Sequence, residues 1–419
     1  MREMKDSGIE WIGEIPADWK TNRLQWHLEE LKVQNSPVQC EDVLSLTIEA
    51  GVIPYEDKGN QGNKSKENLD EYKLAYPDTL VVNSMNVIIG AVGISKYFGC
   101  VSPVYYVFKA ASGTDLKYIY YLFTNVGFQK EMRKYTKGIL EIRLRISAND
   151  MLKLSIPSPS YEEQCLISAT LDRICAKIDA VIAKTKATIE EYKKLKQSII
   201  TEAVTKGIRG DRPMKDSGIE WIGNVPAEWV VSRFKYVASV ESNLVAPDAY
   251  LNYPQVSPEN IEKGSGKLLP CRTVAEVGVI SGNHLFFKGQ ILYSKIRPKL
   301  NKVVIAPFDG LCSADMYPIE TSIHKRFFLY SLLSDVLLQQ VSLITEDRVK
   351  MPKINQEELG NTWFAIPPNE EQNEIADYLD RKCAEFDRLI AGKTHLLEQL
   401  ESYKKSVIYE YVTGKKEVG

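Results

Sequence analysis

Residues 4 to 19, MKDSGIEWIGEIPADW, recur almost unchanged as residues 214 to 229, MKDSGIEWIGNVPAEW, an offset of 210 in a chain of 419. The correspondence returns at the far end of each half. Glu162-Glu163-Gln164, Leu171-Asp172-Arg173, Cys175 and Val204-Thr205 match Glu370-Glu371-Gln372, Leu379-Asp380-Arg381, Cys383 and Val412-Thr413 at an offset of 208. Solenoid repeats run about 20 to 50 residues. A period this long duplicates a whole domain together with its appendage.

Each copy has two parts. In the first, Thr79 to Val82, Val87 to Gly90 and Val104 to Phe108 are short β-branched or aromatic runs bounded by Gly, Pro, Asn and Asp, which reads as strands. Residues 116 to 134 read as helical, so the globular part is α+β. After Pro159 the pattern changes to a coiled-coil-like stripe: Ile167, Leu171, Ile174, Ile178 and Val181, then Ile189, Tyr192, Leu195 and Ile199 in a shifted frame. The second copy repeats it through Ile375, Leu379, Phe386, Ile390, Leu397, Leu400, Tyr403 and Val407. A helix over 162–206 is about 67 Å long at ~1.5 Å per residue. A lone stripe must be covered, and the chain carries two, so the helices are expected to pair antiparallel as a spacer. The expected partition is globular domains at 1–157 and 210–367 and spacer helices at 158–209 and 368–419, related by pseudo-two-fold symmetry.

Composition narrows the function. The 53 basic and 55 acidic residues give a net charge of −2, which argues against a uniformly basic coating protein but leaves room for local basic surfaces. Seven scattered cysteines without a C-x-x-C pair fit reduced thiols rather than a disulfide framework or zinc knuckle. With a charged N-terminus and no apolar run near ~20 residues, the expected setting is cytoplasmic. The histidines His27, His284, His324 and His395 have no metal-ligand spacing. Lys263-Gly264-Ser265-Gly266-Lys267-Leu268 departs from a P-loop at Ile261 and Leu268 and reads as a turn. Pro367-Pro368-Asn369 and Pro270-Cys271 lack the rest of a methyltransferase site, and Asp78 with Asp115 and Lys117 makes only a loose nuclease pattern. No catalytic residue and no metal ligand is assigned.

Aligning the copies is more informative. At an offset of 211, Thr79 to Asn86 (TLVVNSMN) lies over Gln290 to Arg297 (QILYSKIR). The apolar framework matches while Ser84 opposes Lys295 and Asn86 opposes Arg297. Two readers of different sequences would show this pattern. Lys288, Lys295, Arg297, Lys299 and Lys302 form one basic run of the second copy, and Arg348, Lys350 and Lys353 another. In the first copy Arg133, Lys134, Lys137, Arg143 and Arg145 occupy the place of the latter. Such clusters neutralise phosphates, and Arg or Asn reads guanine or adenine edges through paired hydrogen bonds. The candidate DNA-binding residues are Ser84, Asn86, Arg143, Arg145, Lys295, Arg297, Lys299, Lys302, Arg348, Lys350 and Lys353. Ile182 and Ile390 are candidate partner contacts on the helices.

The paired M-K-D-S-G-I-E-W-I-G-x-x-P-x-x-W openings, the S-K-I-R-P-K-L-N-K and G-x-x-S segments and the I-P-x-P…E-E-Q…L-D helix starts resemble the specificity subunit of type I restriction-modification systems across essentially the full chain. The resemblance implies two target-recognition domains, each binding half of a bipartite site in double-stranded DNA. It implies helices that act as a ruler and dock two methyltransferase subunits, with restriction subunits carrying helicase and nuclease activity. It implies no catalytic residue here, S-adenosylmethionine, ATP and Mg²⁺ serving the partners. The first domain departs in having Asn86-Val87-Ile88-Ile89 where R-P-K-L is expected, and Thr136 to Leu140 and Thr345 to Arg348 keep only part of the Gly/Arg/Pro pattern. A stand-alone nuclease or methyltransferase and a coiled-coil scaffold without DNA function are the other classes; DNA cleavage, cofactor binding or absence of salt-dependent DNA binding by the purified chain would point to them.

Overall fold

The computed structural model describes residues 2–59, 68–137, 144–348 and 350–418. The chain divides into two compact units, Met1–Lys186 with His395–Gly419, and Ala187–Thr394. Both divisions fall inside long helices. Each globular domain is therefore completed by the first half of one helix and the second half of the other.

In the first unit the opening motif is a hairpin, Met4–Ile9 against Gly13–Pro16, turned by Gly8 and Gly13 at φ +69° and +71°. Only glycine takes that conformation without strain. The hairpin delivers Ile12, Ile15 and Trp19 to the core. A four-stranded antiparallel sheet follows in the order Leu28–Glu30, Tyr105–Ala110, Leu80–Asn83, Val92–Ile94. Val87–Ile89, expected as strand, is instead a 3₁₀ turn closed by left-handed Gly90, which reverses the chain into Val92–Ile94. The helical stretch 116–134 is two helices, α1 (Leu116–Thr124) and α2 (Val126–Lys134). Asn125 breaks it by adopting ψ 128° and accepting bonds from the Gly127 and Phe128 amides. Helix α3 (Ala148–Leu152) and strand Ser155–Ser158 then lead through Pro159 into α4 (Tyr161–Lys206), 46 residues long.

The second unit repeats the plan. Its hairpin pairs Met214–Asp216 with Asn224–Pro226 and buries Ile222, Val225 and Trp229. Its four-stranded sheet runs Ala238–Val240, Met316–Thr321, Ile291–Ser294, Val303–Ile305. The helices are α5 (Phe234–Val237), α6 (Val274–Val277), α7 (Lys325–Leu333), α8 (Asp335–Ile344), α9 (Gln356–Gly360) and α10 (Asn369–Val412). The expected turn at 263–267 is closed by a bridge between Ile261 and Leu268. Trp19 and Trp229 are almost wholly buried. Truncating either to alanine costs roughly 3–5 kcal/mol.

Within each unit the long helices run antiparallel. In the first, Ile167, Leu171 and Cys175 of α4 share a core with Val407, Ile408, Tyr411 and Val412 of α10, and Lys404 pairs with Asp179 at 2.7 Å. In the second, Ile200, Ala203 and Val204 meet Ile375, Ala376, Leu379 and Cys383, and Lys196 pairs with Asp387 at 2.7 Å. Val181 and Leu195, expected in the seam, are exposed, whereas Thr185 and Ile189 are buried. Thr185 follows Ile178 by seven residues and Ile189 follows Cys175 by fourteen, so the buried positions keep one heptad frame, with a small polar residue at one of them.

The repeated polar letters are the bolts of the domain–helix junction. Glu163 accepts from Trp19 Nε1 (2.8 Å) and pairs with Arg2, as Glu371 accepts from Trp229 Nε1 (3.0 Å) and pairs with Arg212. Gln164 and Gln372 each accept from the amide preceding a domain helix, Asp115 N and His324 N, and donate to Pro159 O and Pro367 O. Asp172 and Asp380 accept from Tyr121 and Tyr330 hydroxyls, both at 2.7 Å. Burial and those carboxylates push both phenols well above their ordinary value.

Candidate nucleic-acid interface

The internal alignment holds register by register. Leu80 faces Phe108 and Asn83 faces Tyr105; Ile291 faces Ile319 and Ser294 faces Met316. The loop leaving the central strand is fixed the same way in both units. Ile146 N donates to Ser84 O (3.1 Å) and Ile354 N to Lys295 O (2.9 Å), while Tyr106 and Tyr317 hydroxyls donate to Ile146 O and Ile354 O. Ser84 thus stands where Lys295 stands, and Asn86 where Arg297 stands. Ser84 is buried, and Asn86 is exposed at the start of the 3₁₀ turn.

In the second unit the two basic segments come together. Ile296 bridges Lys353 antiparallel, and Arg297 N donates to Pro352 O at 2.7 Å. Pro298–Leu300 forms a 3₁₀ turn flanked by Arg297 and Asn301, both left-handed at φ 46° and 44°. This tight loop lifts Arg297 and Lys299 into solvent. Lys295 is half-buried, its ammonium 5.4 Å from the Tyr317 ring centre, a cation–π arrangement.

Not all of the candidate cations are free. Lys302 Nζ donates to Pro258 O at 2.7 Å, Lys353 pairs with Asp315 at 3.0 Å, and Arg348 is bonded to Glu358 and to Lys353 O. The Arg348 guanidinium holds the Glu358 carboxyl below its usual range. Arg297, Lys299 and Lys350 are exposed, with no side-chain bond among the described residues. In the first unit Arg145 is exposed and its backbone bridges Lys137; Arg143 lies outside the described residues. Ile182 and Ile390 are half-buried, next to exposed Val181 and Leu389.

Two features escape a reading of residue types. In the first unit a cleft of about 710 Å³ opens beside Asn86, walled by the hairpin Leu44–Thr47/Gly51–Pro54, whose tip carries exposed Ile48 and Glu49. The alternation in LSLTIEAGVIP was its only signal. In the second unit the parallel pairing that precedes this hairpin is kept, by Val256 with Cys312, but the chain then turns through Pro258–Asn260. There His284 lies buried near Lys295, its Nδ1 without a partner among the described residues; burial first, then the Lys295 charge, lowers its pKa.

The two units are a duplicated α+β domain, each presenting a divergent polar loop at the same end of the same internal strand. Residues 226–402 match the family described as type I restriction modification DNA specificity domain. The chain is 29% identical to the type I restriction enzyme EcoDI specificity subunit of Escherichia coli, over 96% of this chain and 89% of that one. It is 26% identical to the putative type I restriction enzyme MjaX specificity subunit of Methanocaldococcus jannaschii, over 96% and 95%. A chain from a solved structure concerned with complex assembly and conformational transition of the type I R-M system shares the fold, with TM-score 0.71 and 14% identity over 96% of this chain and 99% of that one. Over nearly its whole length the chain is similar to type I restriction-modification specificity subunits, and its second half carries the DNA specificity domain. The matched domain assigns a role in DNA sequence recognition. No single helix among the described residues is long and apolar enough to cross a membrane.

Proposed function

We propose that the two units read the two unlike halves of a bipartite, asymmetric site in double-stranded DNA, and that α4 and α10 set the length of the unread gap and dock two methyltransferase subunits. The observation that carries this reading is one framework with two sets of side chains: Ser84 and Asn86 at the positions of Lys295 and Arg297. Arg297 and Lys299 are assigned to the DNA with their donors unspent, and Lys350 with them. Lys295, Lys302, Arg348 and Lys353 reach DNA by exchanging an internal partner for a phosphate, which suits affinity more than base choice. Asn86, Arg143 and Arg145 serve the first half-site, and Ser84, being buried, acts there by shaping the loop that carries Asn86 rather than by touching DNA. Ile182 and Ile390, with their exposed neighbours, face the methyltransferase subunits. S-adenosylmethionine, ATP and Mg²⁺ belong to those subunits and to restriction subunits with helicase and nuclease activity, in the cytoplasm.

The test is methylome sequencing of cells carrying the intact system, wild type or with four residues inserted in α4, one turn or ~5.4 Å. The wild type is expected to give two unlike half-sites, and the insertion a different gap or no methylation. A palindromic motif refutes unlike halves, and an unchanged gap refutes the ruler.

A further inference from the structure

The recognition loop of the second unit meets the long helix α4 at a single atom. Leu333 is the last residue of α7, so its carbonyl has no partner within the helix. Two side-chain amides fill that need: Gln197 Nε2 of α4 donates to Leu333 O at 2.8 Å, and Asn301 Nδ2 donates to it at 3.1 Å. A carbonyl oxygen has two lone pairs, so both bonds coexist. Thr201, one turn beyond Gln197 on the same face of α4, accepts from Asp335 N at 3.0 Å. The α7–α8 junction is thus gripped by α4 from both sides.

Asn301 ends the tight turn that begins at Arg297. It is buried, left-handed at φ 44°, and its own carbonyl accepts from Gly264 N at 3.0 Å. A second tie runs from that neighbouring turn, where Lys267 pairs with Asp387 of α10 at 2.8 Å. In the first unit the equivalent left-handed position is Gly90, at φ 90°, which has no side chain with which to do the same.

We propose that Asn301 is a positioning residue: through Leu333 O and Gln197 it fixes the Arg297 loop at one height along α4, so that the second half-site is read at a defined distance along the spacer. The assignment rests on the reading of the helices as a spacer.

The test uses the full chain in complex with its modification subunits. Methyl transfer is measured on duplexes with the native gap and with the gap one base pair longer or shorter. Asn301→Gly keeps the left-handed backbone, as Gly90 does, and deletes the amide. Gln197→Ala removes the other bond from a position where alanine suits the helix. Each variant is expected to lower the ratio of native-gap to altered-gap transfer about fivefold, the worth of one hydrogen bond. Because either loss opens the same link, the double variant falls no further than the worse single one. An unchanged ratio in Asn301→Gly or Gln197→Ala overturns the assignment. So do multiplying effects in the double variant, since unrelated structural losses add in free energy. If Asn301→Gly does not fold, Gln197→Ala decides by the same ratio. A wild type indifferent to gap length removes the spacer reading first and this one with it.

Discussion

Arg297 combines a strained backbone with an unspent side chain, and two substitutions separate these properties. At φ 46° its Cβ crowds the following carbonyl, a strain of roughly 1–2 kcal/mol. The conformation is held by Arg297 N to Pro352 O at 2.7 Å and Leu300 N to Arg297 O at 2.8 Å. Arg297→Ala keeps the strain and deletes the guanidinium. Because the group is exposed, stability should stay within about 0.5 kcal/mol of wild type. Arg297→Gly relieves the strain while adding about 0.5–1 kcal/mol of unfolded-chain entropy, so it should match wild type or exceed it by up to ~1.5 kcal/mol. Both variants should lose about 1–3 kcal/mol of specific binding, roughly 5- to 150-fold, at one base position of the second half-site. The assays are urea unfolding, and titration of the subunit complex against four duplexes differing at each base pair, repeated at several salt concentrations. A glycine variant clearly less stable than the alanine one would refute the left-handed backbone. Unchanged binding would refute the DNA contact. A uniform loss across sequences with the salt slope smaller by about 0.9 would move Arg297 from base to phosphate.

Other consequences follow from the same geometry. Glu371, with its side chain 2% exposed between Arg212 and Trp229, is the more deeply buried of the two junction carboxylates, Glu163 being 17% exposed. Glu371→Gln should cost about 3 kcal/mol, because Arg212 then lies charged without its buried partner, and Glu163→Gln distinctly less. Equal urea midpoints for the two variants would contradict this. Burial alone would raise the Asp387 pKa, but the bonds and charges of Lys196 and Lys267 bring it below the ordinary 3.8. A carboxyl lowered on folding stabilises above its unfolded pKa and loses that contribution as pH falls through the folded value. The second unit should therefore weaken as pH drops below about 4, and Asp387→Asn should flatten that limb of the stability profile. An identical acid limb in the variant would exclude Asp387 as its source.

The duplicated opening, the E-E-Q and L-D-R letters and the two apolar stripes were legible because each reflects a local rule: a glycine turn, a helix start, a helical period. Those letters prove to hold Trp19, Trp229, Tyr121 and Tyr330 against the helices. The offset of 211 between Asn86 and Arg297 was equally legible, since strand register preserves it. Less was visible where one polar residue competes with a longer pattern. Asn125 splits a helix by capping the next one, and Gly90 converts an apolar run into a turn.

The sequence by itself determined that this is twice one α+β domain with a long helix, because hydrophobic period and turn chemistry act over a few residues and survive duplication. It also named the cations. Only the tertiary structure decided which of them are spent. Lys302, Lys353 and Arg348 are engaged by Pro258 O, Asp315 and Glu358, while Arg297 and Lys299 have no such partner among the described residues. A charge's partner is set by which loops meet in space. The segments carrying Arg297 and Lys353 lie some fifty residues apart in the chain and become neighbours only when Ile296 bridges Lys353.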